Sequence, residues 1–204
     1  MIKAIIFDLD GILIDSDYIH YDTFMKAVQH INKDIIYSYD EHNKLFSSIT
    51  TRNKIKLLIE KGLLKEEHIE HIYNKKQDLT KIALELIKPN DKLIQLLQLL
   101  IKDKFCLFCC SNSNRTIVEL ILKKLGIYEY FELVLTNNDI KEPKPSPEIY
   151  NTVMKITKLL AEEVLILEDS EIGLQAAYAS GAHVLEIKNI TEVNYENTVK
   201  KLVT

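Results

Sequence analysis

The chain has 204 residues, 47% of them hydrophobic and 27% charged, with five Gly and four Pro, a composition that excludes disordered, collagen-like and low-complexity proteins. A fold of this length buries about 70% of its unfolded surface, enough for a sizeable core in one domain or in a domain that carries an insertion. The formal net charge is −4 and only two of the 26 basic residues are Arg, which argues against a nucleic-acid groove built on bidentate phosphate forks.

At the start of the chain a lone Lys3 precedes an apolar run that soon meets two aspartates, unlike a secretory signal. Apolar stretches elsewhere stay well short of the roughly 18 residues of a membrane span, so a cytoplasmic protein without a membrane partner is expected. Ala4 to Phe7, closed by Asp and Gly, predicts a strand buried on both faces of a sheet. Residues 15–87 carry helical periodicity, as in Thr51 to Lys61 and Glu66 to Ile87, but no comparable strand run; they predict a helical insertion.

From residue 89 onward, strand and helix patterns alternate. Phe105 to Cys110 is the next apolar run and ends at Ser111-Asn112. Its Cys106, Cys109 and Cys110 are the chain's three cysteines, an odd number that argues for reduced thiols in a cytosol. The Cys-x-x-Cys spacing of Cys106 and Cys109 sends the two side chains to opposite strand faces, so they read as core. Asn114 to Leu125 predicts a helix stopped by Gly126. Leu133 to Leu135 ends at Thr136-Asn137. Ser146-Pro147 predicts an N-cap and first helical residue for Pro147 to Leu159. Val164 to Leu167 ends at Glu168-Asp169, Ile172 to Ser180 closes at Gly181, and Val184 to Ile187 is the last buried-strand run. The expected fold class is α/β, a doubly wound and mainly parallel sheet with helices on both faces. Residues 1–14 and 88–204 form its core and residues 15–87 the inserted helical domain.

In such sheets ligands bind beyond the carboxyl ends of the strands, where the polar residues of this chain gather. Asp8 and Asp10 are two residues apart, and continued strand geometry points them to one side. Carboxylates held that close repel unless a cation or proton lies between them, and Glu168-Asp169 adds charge to the same rim. An all-oxygen set selects a hard cation such as Mg²⁺ over Zn²⁺. Lys144 is flanked by Pro143 and Pro145 and could aim its ammonium at that rim. Ser111 and Asn112 offer a hydroxyl, an amide and N–H groups near a helix start, a favourable place for phosphate oxygens.

Four ordered motifs carry a resemblance: Asp8-Leu9-Asp10-Gly11-Ile12-Leu13-Ile14-Asp15-Ser16; Ser111-Asn112; Lys144-Pro145-Ser146-Pro147-Glu148-Ile149-Tyr150; and Glu168-Asp169-Ser170 with Gly173 and Ser180-Gly181-Ala182. The chain resembles the haloacid dehalogenase-like superfamily, in the branch with a small helical cap that includes β-phosphoglucomutase and many sugar-phosphate phosphatases. The resemblance implies a HAD-type Rossmann-like core, with Asp8 as the nucleophile that becomes an aspartyl phosphate and Asp10 as general acid and base. It implies Mg²⁺ held by the Asp8 carboxylate, the Asp10 carbonyl and Asp169, with Glu168 as a further ligand. Lys144, Ser111 and Asn112 then bind phosphoryl oxygens, Lys144 also acting in catalysis.

Within the cap, His20 sits where the family spacing places a hinge histidine, and Arg52 could grip a second phosphate or a substrate carboxylate. The segment Phe46 to Arg52 lacks the glycine of the family's substrate-specificity loop, Ile12 stands where Thr or Val is usual, and Pro143 replaces the glycine often found before the lysine. The expected activity is a Mg²⁺-dependent phosphatase acting on a small phosphorylated metabolite, in a monomer or weak homo-oligomer. A phosphosugar mutase is the alternative, and a non-catalytic binding protein is a third reading.

Overall fold

A computed structural model describes residues 1–46 and 49–203. The chain divides into two compact units, one of Met1–Asp15 with Ile87–Thr204 and one of Ser16–Leu86.

The first unit is a five-stranded, all-parallel sheet. Its strands are β1 (Ala4–Phe7), β2 (Cys106–Cys110), β3 (Leu133–Leu135), β4 (Val164–Glu168) and β5 (His183–Glu186), in the order β3-β2-β1-β4-β5. The central strand β1 pairs with β2 on one side, Ala4 opposite Cys106, and with β4 on the other, Ala4 opposite Val164. The chain therefore winds away from β1 in both directions, and the crevice at its carboxyl end is the topological switch point where α/β sheets bind ligands. Every residue of β1 and β4 is buried, as continuous apolar runs require.

Alternation along the strands divides the core. Ala4, Ile6, Phe108, Cys110, Val164 and Ile166 pack with Ile149, Tyr150, Val153 and Met154 and with Ala176 and Ala177. Those partners lie on two helices of this unit, at Glu148–Thr157 and Glu171–Ala179. On the opposite face the Phe7 ring meets Phe131 edge-on at 6.0 Å, and the helix Asp91–Lys102 buries Leu93, Leu96, Leu97 and Leu100. Each such side chain contributes about 1.5–3 kcal/mol when removed from water.

Several local expectations shift. The last strand is His183–Glu186, and His183 and Glu186 are exposed, because β5 is an edge strand with a single neighbour. The predicted N-cap Ser146 lies one residue too early: Pro147 is the N-cap and the helix begins at Glu148. Ser146 is drawn into a turn by its N–H to the Pro143 carbonyl (3.1 Å), and its hydroxyl still accepts from the Glu148 N–H at 3.3 Å. Strand geometry also ends at Phe7, so alternation does not carry Asp8 and Asp10 to one side. Asp8 keeps a main-chain bond to Leu167 (3.0 Å), and the following residues turn tightly, with Gly11 donating to the Ile14 carbonyl at 2.7 Å. Gly11 has φ +83°, a conformation that favours glycine.

The second unit contains only helices among its described residues: α1 (Asp17–Gln29), α2 (Tyr39–Phe46), α3 (Thr51–Glu60), a short 3₁₀ turn at Glu66–His68 and α4 (Ile69–Leu84). In chain order the helices of the first unit are α5 (Asp91–Lys102), α6 (Arg115–Lys124), α7 (Glu148–Thr157), α8 (Glu171–Ala179) and α9 (Tyr195–Val203). The core of the helical unit is built on Phe24, Val28, Phe46, Ile55, Leu58 and Ile72. Helix α3 is capped by Thr50, whose hydroxyl accepts from the Asn53 N–H, and α1 is joined to α4 by a buried Thr80–Thr23 hydroxyl bond of 3.1 Å. No helix among the described residues is long and apolar enough to cross a membrane.

Candidate active site

Three strand ends meet at the switch point, and each delivers a polar side chain. Asp8 follows β1, Ser111 follows β2 and Glu168 ends β4. Lys144 comes from the loop before α7 and is the group that ties them together. Its Nζ donates to Asp8 Oδ1 and to Glu168 Oε2, both at 2.6 Å, and to the Cys110 carbonyl at 3.2 Å. Three acceptors match the three N–H bonds of an ammonium, and the side chains of Lys144 and Glu168 are buried, with Asp8 nearly so.

Glu168 is the most heavily bonded acid of the rim. Its Oε2 accepts from Lys144 and from the Tyr150 hydroxyl (2.7 Å), and its Oε1 accepts from the Asp169 N–H, the Ser170 N–H and the Ser170 hydroxyl. Ser170 also caps α8, accepting from the Gly173 N–H. At Gly173 an added Cβ would lie 2.1 Å from the Glu168 carboxyl carbon, so the bare glycine backbone makes room for this carboxylate. Gly11 does the same for Asp169, where a Cβ would fall 1.9 Å from Oδ2. The fourth motif is thereby drawn against the turn that carries the first.

The second motif supports this rim in a way that sequence reading did not foresee. The Asn112 side chain holds the Lys144 main chain, accepting from its N–H at 3.0 Å and donating to its carbonyl at 3.3 Å. Ser111 is buried and its hydroxyl accepts from the Ser113 N–H at 2.9 Å. The cap of α6 is Asn114, which accepts from the Ile117 N–H. Ser113, not singled out from the sequence, donates its hydroxyl to Asp10 Oδ2 at 3.2 Å.

Charge at the rim is unbalanced. Burial, then the neighbouring Glu168, push the Asp8 carboxyl well above the usual carboxylate range, with Lys144 opposing them. Burial likewise disfavours charge on Glu168, but Lys144 and the hydrogen bonds from Lys144, Tyr150 and Ser170 outweigh it and hold the carboxyl below its usual value. For Lys144 burial is again the largest influence, and Asp8 and Glu168 overcome it to keep the ammonium charged. Asp8, Glu168 and Asp169 each offer an oxygen within 4.8 Å of the others. These donors are all oxygen, the chemistry a hard cation takes, and with the surplus of negative charge they fit a divalent metal ion.

In the helical unit His20 Nδ1 lies 3.1 Å from Lys76 Nζ, and Lys76 is buried. That lysine was not picked out, although it sits on the i, i+4 stripe Ile72, Lys76, Thr80, Leu84, all buried, which was the available signal. Arg52 is already engaged: its guanidinium forks onto Glu70, Nη2 to Oε2 being 3.1 Å, and lies 4.2 Å from the Tyr73 ring centroid. Of the segment expected to form the specificity loop, Ser47 and Ser48 lie outside the described residues.

An all-parallel sheet with a buried lysine bridging two strand-end acids at its switch point defines an α/β enzyme core of the doubly wound kind. The sequence pattern of the haloacid dehalogenase-like hydrolases matches residues 5–187, and the chain belongs to that family. A phosphorylated carbohydrates phosphatase of Thermotoga maritima is 24% identical over 179 residues, spanning 88% of this chain and 82% of its own. A β-phosphoglucomutase of Bacillus subtilis is 25% identical over 187 residues, spanning 88% of this chain and 80% of its own. Among solved structures, a β-phosphoglucomutase from Clostridium difficile shares the fold with a TM-score of 0.85 at 22% identity, over 98% of this chain and 97% of that one.

Proposed function

We propose that the chain is a Mg²⁺-dependent phosphatase of a small phosphorylated metabolite of the sugar-phosphate class, working through an aspartyl phosphate on Asp8. The observation that carries this reading is the Asp8 carboxylate at the switch point, 2.6 Å from a buried lysine and beside two further acids. The T. maritima relative, named for phosphorylated carbohydrates, supports the substrate class.

In this reading Asp8 and Asp169, with the Asp10 carbonyl, hold the metal, while Glu168 is turned mainly to Lys144. When bound, Mg²⁺ supplies positive charge that offsets the acids and the phosphate. An Asp8 oxygen attacks phosphorus as the ester P–O bond breaks, and the departing oxygen takes a proton from Asp10. Asp10 then removes a proton from water, whose oxygen attacks the same phosphorus and frees Asp8 and inorganic phosphate. The Ser113 hydroxyl at Asp10 Oδ2 orients that carboxyl, and Lys144 balances charge on the transferring oxygens. The helical unit is assigned the role of cap, with His20 as its hinge-side histidine. The free cysteines suit a reducing cytosol.

A second reading, a phosphosugar mutase, is favoured by the B. subtilis relative; in it the aspartyl phosphate passes to a sugar hydroxyl. Arg52 does not decide between the two, because its ion pair with Glu70 is solvent-exposed and such pairs exchange readily for another anion. A phosphometabolite panel with and without Mg²⁺ tests the choice. Release of inorganic phosphate supports the phosphatase; conversion of β-glucose 1-phosphate to glucose 6-phosphate, primed by glucose 1,6-bisphosphate and without phosphate release, supports the mutase.

A further inference from the structure

We propose that Tyr150 is a positioning residue for the reaction: its hydroxyl fixes Glu168, and through Glu168 it aims the Lys144 ammonium at Asp8. The inference rests on the phosphoryl-transfer reading of the rim. Tyr150 is completely buried, on the α7 face that also carries Ile149, Val153 and Met154. A phenol placed in such surroundings costs free energy unless its hydroxyl finds a partner, and phenylalanine would fill the space without that cost. The partner is Glu168 Oε2, at 2.7 Å, on the same oxygen that Lys144 reaches at 2.6 Å. The Tyr150 ring also faces the ammonium, with Lys144 Nζ 4.9 Å from the ring centroid, a favourable placement for a cation.

Glu168 has nowhere else to turn. Its Oε1 is held by Asp169, Ser170 N–H and the Ser170 hydroxyl, and the Gly173 main chain stands against its carboxyl group. Five donors share the roughly four lone-pair sites of this carboxylate, three at Oε1 and two at Oε2. With Glu168 fixed, the donors of Lys144 are distributed among Glu168, Asp8 and the Cys110 carbonyl. Deleting the Tyr150 hydroxyl opens a site on Oε2, the atom through which Glu168 holds Lys144. The carboxylate then carries less compensated charge and turns toward the cation.

The test compares full-length wild type with Tyr150→Phe by thermal melting, Mg²⁺ calorimetry, p-nitrophenyl phosphate kinetics and vanadate inhibition. The expected result is a folded variant with kcat down about tenfold, KM within about twofold and vanadate binding weakened in step with kcat, as for an interaction made only in the transition state. Mg²⁺ affinity rises about threefold or more. A variant that fails to fold, or that melts earlier with kcat, vanadate and Mg²⁺ affinity unchanged, assigns the hydroxyl to stability alone and overturns the proposal. A wild type that releases no phosphate from p-nitrophenyl phosphate or from any member of the phosphometabolite panel with Mg²⁺ instead overturns the phosphatase reading; the Mg²⁺ calorimetry still decides the role of Tyr150, an unchanged affinity rejecting it.

Discussion

Asn112 grips Lys144 by its main chain and not by its ammonium: the amide oxygen accepts from the Lys144 N–H at 3.0 Å and the amide nitrogen donates to the Lys144 carbonyl at 3.3 Å. The second motif therefore builds the site by fixing where the third motif stands. The Asn112→Ala variant loses both bonds, each contributing about 0.5–1.5 kcal/mol, and the lysine loses its anchored start. A folded protein with kcat reduced about tenfold or more is expected from steady-state kinetics. Asn112→Asp keeps the acceptor and loses the donor, and falls between the two.

Lys144 stabilises as well as orients. The Lys144→Met variant leaves the carboxylates of Asp8 and Glu168 buried without their cation, a change that costs about 3–5 kcal/mol. Both acids then bind protons more readily when folded than when unfolded. Stability of the variant consequently falls as pH rises above the unfolded carboxylate range near 4. Urea melts at pH 5 and pH 7.5 should show a larger deficit relative to wild type at the higher pH, and added Mg²⁺ should recover part of it. Equal deficits at both pH values would remove the buried-charge explanation.

His42 gives the helical unit an acid sensitivity of its own. The side chain is buried among Tyr21, Phe24 and Phe46. Burial, then the charge of Lys54, lower its pKa to about 4. A base whose folded pKa is depressed contributes its full stability above the unfolded value near 6.5, and loses it as pH falls from there toward 4. Melting curves across that window should show a decline on the order of 3 kcal/mol that is reduced in His42→Phe. An identical decline in the variant would assign the acid sensitivity to other groups.

Much of the sheet could be read from the sequence, because strands buried on both faces leave uninterrupted apolar runs and their ends are marked by polar residues. Ala4–Phe7 and Leu133–Leu135 fall on their predicted bounds, and Gly126 and Gly181 occupy the positive-φ positions past their helices. The placement of Asp8 and Asp10 was less legible. It follows from a tight turn around Gly11 closed by main-chain bonds, and strand alternation does not describe that turn. Side-chain partnerships between distant segments were least legible. Asn112 and Lys144 are 32 residues apart and Ser113 and Asp10 are 103 apart, and no local pattern announces such pairs. Tyr150 stood only as the last residue of the third motif, with no partner assigned, and for Lys76 the buried stripe of α4 was the available signal.

The central claim is that Asp8 carries the phosphoryl group, and borohydride trapping tests it most directly. Enzyme quenched during turnover of a substrate from the phosphometabolite panel and reduced with borohydride should contain homoserine in place of aspartate at position 8, found by peptide mass mapping. The signal should be absent without substrate. Turnover of a phosphoester with residue 8 left as unmodified aspartate, together with undiminished activity in Asp8→Asn, would contradict the account.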